Sequence, residues 1–181
     1  MRGLVPLMVS IGLLAGLATW LFLTAGGILI WAAFVAWACF FHSGGDVPAL
    51  KSTMICNSFG VLSAWIAALM LLTIPLGESL TLPLWAGIIV GVTVAAYTIS
   101  ANVTFLSSIP ATTYGYACSF AFLLQTPDKL NVESLTEASL NNVLFAVVLS
   151  MIIGAGFGFL TGKFATILTA REDEDEGLGE A

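Results

Sequence analysis

Read for apolar and polar positions, the chain falls into six apolar runs separated by short polar breaks: residues 4–23, 28–41, 53–74, 82–105, 111–124 and 140–166. A helix that crosses a bilayer needs ~20 predominantly apolar residues, because the hydrocarbon core is ~30 Å thick and each residue rises ~1.5 Å. Backbone amides have no water partner in lipid, so each run is expected to be helical unless other helices shield it. Four runs are long enough to span with some tilt. The second, "ILIWAAFVAWACFF", and the fifth have only 14 residues each. The second stops at a polar elbow, "HSGGDVP", and the fifth is reached through "SSIP". The pattern predicts an all-α polytopic membrane protein with six transmembrane helices.

The two halves echo each other. "GLLAG" (12–16) matches "GIIVG" (87–91) at an offset of 75. "FVAWACFF" (34–41) matches "TYGYACSF" (113–120) at 79, and "VLSAWIAA" (61–68) matches "VLSMIIGA" (148–155) at 87. The matches keep chain order, which predicts two repeats of three helices, about 4–74 and 82–166. An odd number of crossings turns the second copy over, giving inverted repeats with a solute path at their interface. Short segments at matching places in both halves point to that path, and here they are the second and fifth. Trp37 and Phe41 are four apart, as are Tyr116 and Phe120, so each pair shares a helix face. These four rings are the expected constriction. The alternative is plain bundle packing or an interfacial belt.

Composition fits the same picture. The 181 residues are 59% hydrophobic and 9% charged, with a mean hydropathy of +1.02, whereas soluble domains carry roughly 25% charged residues. Six of the 11 acids fall in "REDEDEGLGEA" (171–181), so the net charge of −6 describes that tail. A single membrane domain over 1–170 followed by an acidic disordered tail is the expected organisation. With the N-terminus cytoplasmic, Arg2, Lys51, Lys163 and Arg171 fall inside and only Lys129 outside. That bias predicts an inner-membrane protein with both termini cytoplasmic. Three cysteines without a CxxC pair, beside the single His42, make no metal-ligand set. No cofactor, nucleic-acid partner or enzymatic chemistry is expected.

The spans hold neutral polar groups rather than charges. Asn57, Asn102 and Asn142 stand out, because a buried amide must satisfy both donors and an acceptor. Interhelical hydrogen bonding explains most of the Ser and Thr residues. The three asparagines are divided between that role or capping and lining a wet path. His42, Gly44, Gly45 and Asp46 form the expected mouth. No acid lies near the centre of a span, and coupled pumps need intramembrane ionisable groups. Their absence predicts passive passage of a small, weakly charged or neutral solute. Gly158 and Gly162 form a small-xxx-small contact pattern within or between subunits.

The run into "FFHSGGD", the stretch "NSFG" and the segment "IPATTYGYACSFA" resemble the small bacterial inner-membrane proteins of the domain of unknown function 1097 family. That likeness covers most of residues 8–165 and implies no particular substrate. A shorter likeness joins "KSTMICNSFGVLS" to urea and short-chain amide channels, which implies six spans, inverted repeats, ring assembly and a urea/amide substrate class. The combined expectation is a homo-oligomeric membrane channel or facilitator for a small polar solute of the urea, amide or small carboxylate class. A non-transporting structural or regulatory subunit, docking a partner through its acidic tail, is the alternative. A weakly coupled secondary transporter ranks third.

Overall fold

The computed structural model describes residues 4–179, with side chains described through Arg171. It is all helical: α1 (Leu4–Ala25), α2 (Ile30–His42), α3 (Val47–Thr73), α4 (Leu82–Ile99), α5 (Ile109–Gln125), α6 (Val132–Thr136) and α7 (Val143–Gly179). Among the described residues, four helical stretches are long and apolar enough to cross a bilayer: Leu4–Ala25, Val47–Thr73, Leu82–Asn102 and Val143–Arg171. The α2 helix has 13 residues and α5 has 17, so at ~1.5 Å per residue they reach only about 20 and 26 Å.

Polar side chains set the helix ends, and they shift several expected boundaries. The α3 helix starts at Val47 rather than residue 53, because the Asp46 carboxylate accepts from Ala49 N at 2.7 Å and Pro48 sits in the first turn. Ser108 caps α5 in the same way, accepting from Ala111 N at 3.4 Å. The fourth run does not continue as helix to residue 105. Ser100 Oγ donates to Tyr97 O at 2.6 Å and Asn102 Nδ2 to Ile99 O at 2.8 Å. These bonds occupy carbonyls at the helix end, and the chain leaves through two 3-10 turns over Ser100–Asn102 and Thr104–Leu106. The elbow between α2 and α3 is tight because Gly44 and Gly45 take φ of 119° and 71°, a region that favours glycine. At the other end of the chain α7 runs to Gly179. Its side chains from residue 172, and residues 180–181 altogether, lie outside the described residues.

Two helix contacts are close enough to bring backbones together. A Cβ added at Gly154 of α7 would lie 2.5 Å from Ala33 C and Cα on α2. One added at Gly60 of α3 would lie 2.8 Å from Tyr116 N and Thr112 C on α5. The α2–α7 pair runs parallel, with contacts stepping from Leu29 at Ser150 through Ala33 at Gly154 to Trp37 at Gly158. Of the four long helices, α3 and α7 are the more enclosed, while α1 and α4 leave most of their surface uncovered. The largest buried cluster joins Val61, Phe122, Leu135, Val147 and Met151 across α3, α5, α6 and α7. The exposed Leu, Val and Ile side chains of α1 and α4 suit lipid contact, since acyl chains supply no force to cover them.

Candidate functional site

The four rings expected to meet do not form one constriction. Trp37 and Phe41 belong to a cluster with Ala18, Phe22 and Phe157. Trp37 stacks on Phe34 at 5.5 Å and lies 6.0 Å from Phe157. Tyr116 and Phe120 belong to a separate cluster with Ala64, Trp85 and Tyr97. There Tyr116 lies 5.5 Å from Tyr97 and 5.1 Å from Phe120, and its hydroxyl shares a 2.8 Å hydrogen bond with Thr93 Oγ1. Each pair shares its helix face as expected, and each face meets its own core.

The three asparagines separate as well. Asn102 is exposed in the turn after α4. Asn142 is buried and fully used. Its Nδ2 donates to Leu135 O at 2.8 Å and Glu137 O at 3.0 Å, and its Oδ1 accepts from Leu144 N at 2.9 Å. It starts α7 and staples α6 in place, helped by Trp65 Nε1 donating to Leu135 O at 2.8 Å. Asn57 is different. It is 1% exposed, its Oδ1 accepts from the Cys39 thiol at 3.7 Å, and its Nδ2 has no hydrogen-bond partner among the described residues. A buried polar group left unsatisfied costs about 1–3 kcal/mol, and few native structures keep one without a reason.

Toward the start of α3, about two helical turns from Asn57, lies an open cleft of about 440 Å³, lined by residues that include His42, Ser43, Asp46, Ala49, Ser52 and Ser108. Of the four residues expected at the mouth, His42 and Asp46 line this cleft, between the α2–α3 elbow and the start of α5, whereas Gly45 lines a separate pocket with Phe159 and Lys163. The cleft continues inward as contacts among neutral polar groups. Cys39 Sγ lies 3.9 Å from Ser43 Oγ and 3.7 Å from Thr53 Oγ1, and then meets Asn57. Ser52 Oγ lies 3.9 Å from Cys56 Sγ on the neighbouring strip of α3. Beyond Asn57 the interior turns apolar at Val61, Val147 and Met151, and α6 closes that end with Leu135, which is fully buried. No charged side chain takes part in the seam itself.

The seam residues Cys39, Ser43, Thr53 and Ser52 were not expected as site residues. The available signal was spacing: Ala49, Thr53 and Asn57 recur every four residues on one face of α3, as Cys39 and Ser43 do on α2. Among the described residues there is no group of three or more His, Cys, Asp or Glu side chains arranged to hold a metal.

No curated protein and no solved structure matches the chain, so the likeness to urea and amide channels gains no support there. The family pattern described as protein of unknown function (DUF1097) matches residues 8–166. The chain belongs to the DUF1097 family, and its apolar helices make it a membrane protein.

Proposed function

We propose that the protein is a passive facilitator for a small polar solute, built from two inverted three-helix repeats that cross the membrane six times. The observation that carries this reading is the buried polar seam that leads from beneath the cleft at the α2–α3 elbow to the unpaired amide of Asn57. A purely structural bundle gains nothing from burying such a group.

The repeat is supported by burial registers. Ser10, Ala18 and Phe22 of α1 correspond to Trp85, Thr93 and Tyr97 of α4 at an offset of 75, and all six are buried. The six buried positions of α2, from Ala32 to Phe40, correspond at 79 to buried positions of α5, from Ala111 to Ser119. Gly60 with Thr112 and Gly154 with Ala33 are equivalent close contacts, which aligns α3 with α7 at 94. The offset of 87 read from the sequence differs from this by seven residues, two helical turns, and so keeps the same face. Parallel packing of α2 with α7 fits a second repeat that enters from the opposite side. The shorter α2 and α5 then cross where longer neighbours shield their ends. In this arrangement Lys51 and Lys163 lie at the elbow end, which becomes the cytoplasmic side of an inner membrane with both termini cytoplasmic.

The subunit is further proposed to assemble with copies of itself. Gly12 and Gly16 on α1, and Gly87 and Gly91 on α4, have open space where a side chain would stand. Small-xxx-small pairs of this kind allow close helix contact in lipid, and these two occupy equivalent outer faces.

The test is a stopped-flow assay on proteoliposomes with urea, acetamide, formate and acetate. Flux of at least one solute above that of empty liposomes is expected. Flux equal to empty liposomes for all four overturns the reading, and uphill accumulation driven by a proton or sodium gradient replaces it with coupled transport.

A further inference from the structure

We infer that Asn57 is a binding position for a neutral solute carrying an amide-like pair of groups, a carbonyl oxygen beside an N–H, and that it discriminates against carboxylate anions; this rests on the facilitator reading above. Asn57 stands where three helices meet. It is on α3, its carboxamide oxygen takes the Cys39 thiol of α2, and its backbone carbonyl packs against Gly115 of α5. Its Nδ2 has no partner among the described residues although the residue is 1% exposed. Turning the amide over would leave the oxygen unpaired instead, so one polar end lacks a partner in either orientation. A molecule with both a carbonyl oxygen and an N–H satisfies both orientations, because an amide offers donors and acceptors side by side.

Charge selects in the same direction. The amide meets the Cys39 thiol, which itself lies beside the hydroxyls of Ser43 and Thr53, and all of these groups are neutral. His42 and Asp46 stay at the outer rim of the cleft, and both are exposed. No cation is present at the seam to compensate a carboxylate, and an unpaired ion carried into a low-dielectric interior meets a large desolvation cost. A neutral solute exchanges its water hydrogen bonds for those of Asn57, Thr53 and Cys39 at nearly even cost. The position equivalent to Asn57 in the second half is Met151, at the offset of 94, so the chain carries this polar position once.

The experiment follows thermal unfolding of the full chain in detergent by tryptophan fluorescence, with acetamide or sodium acetate at matched concentrations. Wild type is compared with Asn57→Leu and Asn57→Ser, the second keeping the test open if the first does not fold. The expected result is a rise in Tm with acetamide only, present in wild type and lost in the variants. Removing a hydrogen bond of this kind also lowers acetamide flux on the order of tenfold. Equal shifts in wild type and variants, equal shifts with acetate, or no shift in wild type each overturn the inference. Flux without Asn57-dependent binding overturns the inference and leaves the facilitator standing. Asn57-dependent binding without flux does the reverse.

Discussion

The close crossing of α2 and α7 makes a sharp prediction for Gly154→Ala. Alanine is the better helix former, and in an isolated helix the change stabilises by about 1 kcal/mol. Here the new methyl carbon lies 2.5 Å from Ala33 C and Cα and closer still to the carbonyl oxygen, against an ordinary contact of at least 3.4 Å. The obstacle is backbone on both sides, so no side-chain rotation relieves it. The helices must part by roughly 1 Å, which also loosens Trp37 and Phe40 against Gly158. Overpacking of this kind costs typically about 1–3 kcal/mol and sometimes more, so the net effect is destabilising. Gly156→Ala is the matched control on the same helix, because nothing lies within 4 Å of its added carbon. The helix-propensity gain goes unopposed there, and the two variants separate by about 2–4 kcal/mol. Reversible unfolding in mixed micelles, titrated with a denaturing detergent and followed by tryptophan fluorescence, measures the difference. A Gly154→Ala protein as stable as Gly156→Ala would refute the packing argument. Gly60→Ala and Gly115→Ala should fall with Gly154→Ala, since each meets backbone of the facing helix.

Other changes probe the helix ends and surfaces. Asp46→Ala removes the cap on α3 and should lower stability by about 1 kcal/mol in the same unfolding assay, with Asp46→Asn restoring most of it. Asn142→Ala leaves Leu144 N and two carbonyls short of partners. It should cost about 2 kcal/mol or more and speed hydrogen exchange selectively across residues 126–142. Gly16→Ile places a bulky side chain on the open face of α1. It should reduce cross-linked oligomers while leaving the unfolding midpoint of the solubilised subunit within about 1 kcal/mol; unchanged cross-linking rules out that face as the contact.

The sequence revealed some levels of this fold better than others. Apolar runs mark helices well, and the double glycine of the elbow announces its turn because only glycine takes φ of 71° or 119° cheaply. Boundaries were less legible, since an apolar run does not say which polar neighbour will cap it. Asp46, Ser100 and Ser108 decided those ends through hydrogen bonds that depend on backbone geometry. The aromatic pairs show a second limit. Four-residue spacing correctly put Trp37 with Phe41 and Tyr116 with Phe120, yet spacing on one helix does not name the helix opposite. The short α6 was missed because five residues in a polar loop carry no periodicity, although Leu135 at their centre becomes fully buried.

Under the proposed repeat, the candidate site lies where the two halves differ. That repeat makes Gly60 equivalent to Gly154 at the close crossings and Cys39 to Cys118 on the short helices. At the α2–α3 connection the chain turns within a few residues and leaves a cleft of about 440 Å³. At the α5–α7 connection the chain inserts α6, and Trp65 and Asn142 both bind the Leu135 carbonyl, so that end is filled. The same contrast recurs inside, where Asn57 is buried with an unpaired amide and Met151 takes the corresponding place in that repeat among apolar neighbours. Packing alone would favour an apolar residue at both places, since burying an amide without partners costs about 1–3 kcal/mol. Symmetric packing therefore accounts for Met151 and leaves Asn57 unexplained, and a polar ligand drawn from the open cleft is the simplest way to meet its hydrogen bonds.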